Sequence, residues 1–194
     1  MIRSVRELWF ITHPDVTIDP AIPVPEWRLS ARGLTRMEAL VRQPWAQPIA
    51  TIWSSTERKA IDAAEVLARG LGLRVSTLAS LGENDRSATG YLQRETFEAL
   101  ADAFFAAPFE SVRGWERAVD AQARIVAAVD EVIANSPGNG GIAIVSHGAV
   151  GALYLCHLQG VPISRAQDQP AGPGGNFFAF APGRLTHGWL AVDR

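Results

Sequence analysis

Ile142-Ala143-Ile144-Val145-Ser146-His147-Gly148 decides how this chain folds. Four consecutive apolar residues, three of them β-branched, follow the turn-forming run Ser136-Pro137-Gly138-Asn139-Gly140-Gly141. That pattern predicts a strand buried on both faces. Ser146-His147-Gly148 ends it, and Ala149–Leu158 reads as an apolar helix. A strand without polar alternation, leading straight into a helix, is the unit of a parallel sheet covered on both sides. Leu8-Trp9-Phe10-Ile11 repeats the pattern and is broken by Thr12-His13-Pro14. Ile49–Trp53 repeats it again, with Ser54-Ser55-Thr56 as caps for a helix reaching about Leu71.

Between these units, Ser30 offers an N-cap for a helix to about Gln43, with Leu34, Met37, Leu40 and Val41 on one face. Val75–Leu78 is a short strand and Gly82–Gly90 a polar segment without period. Helices are expected over Leu92–Ala106 and Trp115–Asn135, and closing strands over Asn176–Phe180 and Trp189–Val192. Alternating strands and helices predict an α/β fold: a three-layer sandwich with a largely parallel central sheet flanked by helices. A length of 194 residues fits one domain, 1–194.

Composition excludes several classes of function. An apolar share of 47% with 20% charged residues is that of a folded globular chain. A net charge of −2 without a basic run gives no footprint for nucleic acid. No apolar stretch approaches the ~18 residues that span a bilayer. Arg3, Arg6 and Glu7 precede a short apolar run, which does not read as a signal peptide, so a soluble cytoplasmic protein is expected. Cys156, the one cysteine, sits in an apolar run and reads as a small buried hydrophobe. Of the 18 lysines and arginines, Lys59 is the only lysine.

In open parallel sheets, ligands sit at the carboxyl ends of the strands. That rule selects Thr12-His13-Pro14, Ser54–Lys59 and Ser146-His147-Gly148. Two of the four histidines, His13 and His147, occupy equivalent positions there. Imidazole is nucleophilic at neutral pH and serves as a covalent catalyst. A metal site is not expected, because no carboxylate stands at ligand spacing from either histidine. His157 and His187 lack such a setting and read as packing or solvent-facing residues.

These segments, in this order, resemble the histidine phosphatase (phosphoglycerate mutase-like) superfamily. Leu8–Asp15 resembles the strand and Arg-His-Gly signature that opens such proteins, and Trp27–Gly33 resembles the entry to their first helix. Ser54–Ala60 with Ala63-Ala64-Glu65 is similar to the segment supplying a phosphate-binding cation. Leu81–Arg86 resembles the segment carrying the proton donor, and Ile142–Gly148 the second histidine motif. The resemblance implies His13 as nucleophile, His147 as its partner and Glu83 as proton donor. It implies a small phosphorylated substrate or inorganic phosphate as ligand, and no cofactor.

The family's Arg-His-Gly is Thr-His-Pro here. Thr12 brings one hydrogen bond and no charge, and Pro14 has no N–H. In gapless register Lys59, not Arg58, falls on the family's second arginine, with Arg58 the alternative if the helix is wound one residue differently. Arg28 and Arg86 stand in loops expected over the site as replacement cations. Glu116, Asp120 and Arg124, at i, i+4 and i+8, read as a surface ion-pair ladder. The expected activity is metal-independent phosphomonoester hydrolysis through a phosphohistidine. The rivals are mutase-type phosphoryl transfer and a weakened, phospho-ligand-binding member of the family. An unrelated nucleotide-binding domain lacks the Gly-rich loop it needs after the first strand.

Overall fold

Residues 6–194 are described by a computed structural model; Arg3 lies outside the described residues. The chain runs β1 (Leu8–Thr12), α1 (Ala31–Val41), β2 (Ile49–Ser54), α2 (Arg58–Leu71), β3 (Val75–Thr77), α3 (Arg94–Ala106), α4 (Ala118–Asn135), β4 (Gly141–Ser146), α5 (Gly148–Gln159), β5 (Asn176–Ala181) and β6 (Arg184–Ala191). The six strands form one sheet in the order β3-β2-β4-β1-β5-β6. Its first three pairings are parallel, and β5 and β6 extend it antiparallel.

Side-chain alternation along β1 divides the core. Trp9 and Ile11 face one side with Met37 and Leu40 of α1 and Ala60, Ala64 and Leu67 of α2. Leu8 and Phe10 face the other with Ile125, Val129 and Val132 of α4 and Val150 and Tyr154 of α5. This is the expected three-layer arrangement. α3 joins a smaller cluster with Trp115, Ala152 and Leu153 at the margin of the second layer. No helix of the described residues is long and apolar enough to cross a membrane.

Some boundaries differ from expectation for identifiable reasons. β6 begins at Arg184, not Trp189, because it is an edge strand whose residues alternate between exposed and half-buried. Gly183, with φ 71°, makes the turn that pairs it with β5. α4 begins at Ala118 because Trp115 ends a 3-10 turn and packs against Phe97 and Phe104. α2 takes Glu57, not a residue of Ser54–Thr56, as its N-cap position.

Register positions the site. Thr12 lies opposite Ser146, and Ser54 opposite Val145. The His13 N–H donates to Ser146 O at 3.1 Å, and the Ser55 N–H to Val145 O at 3.0 Å. His13, Ser55 and His147 therefore leave three adjacent strands at one level.

Candidate active site

The two imidazoles face each other edge to face, with ring centroids 5.2 Å apart and planes at 69°. His13 Nδ1 lies 3.0 Å from Pro14 O. A carbonyl only accepts, so Nδ1 carries the proton and Nε2 keeps its lone pair. Pro14, which offers no N–H, still orients the ring through its carbonyl. Burial, reinforced by the Lys59 charge, brings the His13 pKa down to about 4, so the ring is neutral at pH 7.

His147 is fully buried at the start of α5. Its Nε2 lies 2.7 Å from Ser55 Oγ and 3.3 Å from Glu57 Oε1. Its Nδ1 is buried with no hydrogen-bond partner among the described residues. Burial drives its pKa well below the usual imidazole value. Ser55, expected to cap α2, instead joins His147 to that helix by accepting the Glu57 N–H at 3.2 Å.

Lys59 is buried in the first turn of α2, and its Nζ donates to Glu57 Oε2 and, at 2.9 Å, to Val24 O. Burial opposes ionisation of the Glu57 carboxyl, but His147, Lys59 and the Glu83 N–H outweigh it and bring its pKa to about 2. Of these partners, only Lys59 combines a charge with a direct hydrogen bond to the carboxylate.

Glu83 Oε1 accepts from the Asn84 and Val150 N–H groups at 3.1 and 3.2 Å, and Oε2 from the Ala149 N–H at 3.3 Å. The carboxyl thus sits on the first turn of α5, directly beyond His147. Its pKa is raised, chiefly by burial and further by Glu57, against the opposing pull of Arg86 and these N–H groups. Asn84 beside it is buried, and its Nδ2 has no partner among the described residues.

Arg124 holds this segment by donating to Ser80 O, Gly82 O and Glu83 O at 2.8, 2.9 and 3.1 Å. Its guanidinium also grips Glu116 at 2.9 and 2.7 Å. The expected surface ladder is therefore corrected: Glu116 and Arg124 form a clamp behind Glu83, while Asp120 pairs with Arg117 in solvent. The i+8 spacing carried that signal, but the target backbone carbonyls have no sequence signature.

The other cations divide. Arg86 lies over Phe97 and Trp115, 4.9 and 5.7 Å from their centroids, and its charge reaches both histidines and Glu83. Arg58 turns away to Asp62 at 2.8 Å, and Arg28 is exposed. Thr12 is buried; its Oγ1 accepts the Asn176 N–H at 3.0 Å and donates to Gln169 Oε1 at 2.8 Å. Gln169 had no sequence signal, since it lies in a polar loop 157 residues from Thr12. Trp27 meets Tyr91 at 5.5 Å, which joins the loop after β1 to the one after Glu83.

The histidine phosphatase superfamily (branch 1) model matches residues 22–175. The span includes Glu57, Lys59, Glu83 and His147, while His13 precedes it. No curated protein sequence matches the chain. Among solved structures, mycobacterial glucosyl-3-phosphoglycerate phosphatase with inorganic phosphate is 22% identical, with a TM-score of 0.77, over 97% of this chain and 99% of that one. The same mycobacterial enzyme with VO3 gives 23%, 0.72, 90% and 92%. YhfR of Bacillus stearothermophilus gives 20%, 0.77, 97% and 98%. At these identities the likeness establishes the fold.

Proposed function

We propose, from the premise that this chain belongs to the histidine phosphatase superfamily, that it is a metal-independent phosphomonoester hydrolase working through a phosphohistidine at His13. The observation that carries this reading is the histidine pair: one ring presents a free Nε2 lone pair, and 5.2 Å away the other has a buried, unpartnered Nδ1.

His13 Nε2 attacks phosphorus in line, and the ester P–O bond breaks as the N–P bond forms. Glu83 gives its proton to the departing alkoxide, a task suited to a carboxyl whose pKa burial has raised. Water then attacks the phosphohistidine, Glu83 takes its proton, and orthophosphate leaves with His13 restored. His147 offers Nδ1 to an equatorial oxygen. A proton is needed there, and Glu57 at 3.3 Å from Nε2 stabilises the doubly protonated ring once the anion is bound. Arg86, with no ion-pair partner among the described residues, supplies positive charge.

One observation favours a second reading, a member that binds phosphorylated ligands without turning them over. Neither altered cation position delivers free charge: Thr12 is tied to Gln169, and Lys59 to Glu57. A steady-state assay with an aryl phosphate decides. Turnover that disappears in His13→Ala supports the hydrolase, whereas saturable orthophosphate binding without turnover supports the binder.

A further inference from the structure

Thr12 leaves a gap in the phosphate site, and the residue bonded to it occupies a telling place. Gln169 touches the neighbours of both histidines. Its Oε1 accepts from Thr12 Oγ1 at 2.8 Å, next to His13. Its Nε2 lies over Gly148, next to His147, so closely that a Cβ there would come within 2.4 Å of it. The amide therefore bridges the carboxyl ends of β1 and β4, where the imidazoles emerge.

Its orientation is set by a second donor, Asn176 Nδ2, which reaches the same Oε1 at 3.0 Å. Turning Gln169 alone would set two NH2 groups against each other. With Oε1 committed to Thr12 and Asn176, the two N–H bonds of Nε2 remain on the side of Gly148. The loop is fixed as well. Arg165, four residues earlier, is tied to Glu98 and Asp102 of α3, and the Gln169 N–H donates to Asp168 Oδ1 at 2.8 Å. An independent observation points to an anion in the same place: the buried Nδ1 of His147, the residue before Gly148, has no partner among the described residues.

We infer that Gln169 is a phosphoryl-binding residue, whose Nε2 amide gives a phosphoryl oxygen the hydrogen bond that Thr12 cannot give. The inference rests on the phosphate-site reading above. The site thus binds its anion through a neutral donor aimed by Thr12 and Asn176, where a guanidinium would bring charge. Gly148 belongs to the same device, since any larger residue would push the amide off the start of α5.

Gln169→Glu separates binding from architecture. It keeps the oxygen that accepts from Thr12 and Asn176 and replaces only the donating face with a carboxylate oxygen. Calorimetric titration with orthovanadate and with inorganic phosphate is the measurement, with Gln169→Ala in parallel. Loss of one donor to a charged acceptor predicts about 10-fold to 100-fold weaker binding in Gln169→Ala, and a larger loss in Gln169→Glu, which keeps the acceptor oxygen and with it the wild-type melting temperature. Binding by Gln169→Glu within about twofold of wild type overturns the inference. If that variant does not fold, a wild-type structure with orthovanadate decides: Nε2 within hydrogen-bond distance of a vanadate oxygen upholds it, and Nε2 beyond that reach overturns it. A wild type that binds vanadate at Gln169 without hydrolysing any ester removes the hydrolase reading alone. A wild type that binds neither anion removes both.

Discussion

Lys59, the only lysine in the chain, is ion-paired with Glu57, two residues before it, inside the proposed anion site. The lysine side chain is 4% exposed and the glutamate 15%, so solvent does little to screen the pair. A phosphoryl group entering the site must share that ammonium with a resident carboxylate.

Breaking this pair from one side leaves a buried charge uncompensated. Lys59→Ala is therefore expected to lower stability by about 3–5 kcal/mol. The double variant Lys59→Met/Glu57→Leu, which removes both charges and keeps apolar volume, should recover most of that loss. Urea denaturation of the three proteins checks it. A cost below about 1 kcal/mol for Lys59→Ala would show that the pair contributes no more than an exposed one.

His13→Ala should abolish turnover of an aryl phosphate and leave no acid-labile, alkali-stable phosphate on the protein. His147→Ala should still form that adduct, at a rate reduced by roughly 10²–10³, the usual effect of losing one transition-state donor. Rapid quenching with labelled substrate measures both, and labelled adduct in His13→Ala would exclude His13 as the nucleophile.

The pH profile of kcat/KM should be bell-shaped. Its acid limb belongs to His13, at about 4, because activity needs the neutral ring. Its alkaline limb belongs to Glu83, above the ordinary carboxyl value, because activity needs the protonated acid. The Arg86 charge lowers both pKa values, so Arg86→Ala should move both limbs to higher pH. Limbs that stay in place would remove Arg86 from the electrostatics of the site.

Arg124→Met should reduce kcat while leaving orthovanadate affinity close to wild type. Arg124 touches the carbonyls of Ser80, Gly82 and Glu83, so its loss loosens Glu83, the proposed proton donor, without disturbing the histidines. Equal losses in kcat and vanadate affinity would mean that the whole site had collapsed.

Acid should weaken the fold over a wide interval. His13, neutral when folded with a pKa of about 4 against 6.5 unfolded, contributes stability above 6.5 that is lost as pH falls towards 4. Glu57, at about 2 against 4.5, contributes stability above 4.5 that is lost as pH falls towards 2. Melting temperatures from pH 8 to 3 should decline in His13→Ala with the first part of that fall diminished.

The sheet and both histidines were legible because apolar runs without alternation end abruptly at Thr12 and Ser146. Burial on both faces writes itself into sequence in that way. The register of α2 was legible too, since Arg58 and Lys59 point about 100° apart on a helix and only Lys59 turns inward. The extent of β6 was not, because an edge strand imposes a weak apolar pattern. The partners of the site were hidden for another reason. Glu57 with Lys59, Arg124 with the Glu83 loop, and Gln169 with Thr12 are polar contacts set by tertiary geometry. Short-range periodicity does not record them.

The place of β4 has a consequence for how the molecule is made. β4 lies between β2 and β1, so strands from the first 54 residues are joined only by a segment from 141–146. Until that segment emerges during synthesis, β1 and β2 each present an open edge, and the growing chain offers unpaired apolar strands to its neighbours. Pairing across so much sequence is slow, because a large loop must close before any contact rewards it. Nascent chains short of β4 are then aggregation-prone. The last strand to enter the middle of the sheet brings His147 with it, so the parallel core and the histidine pair come into being in one event.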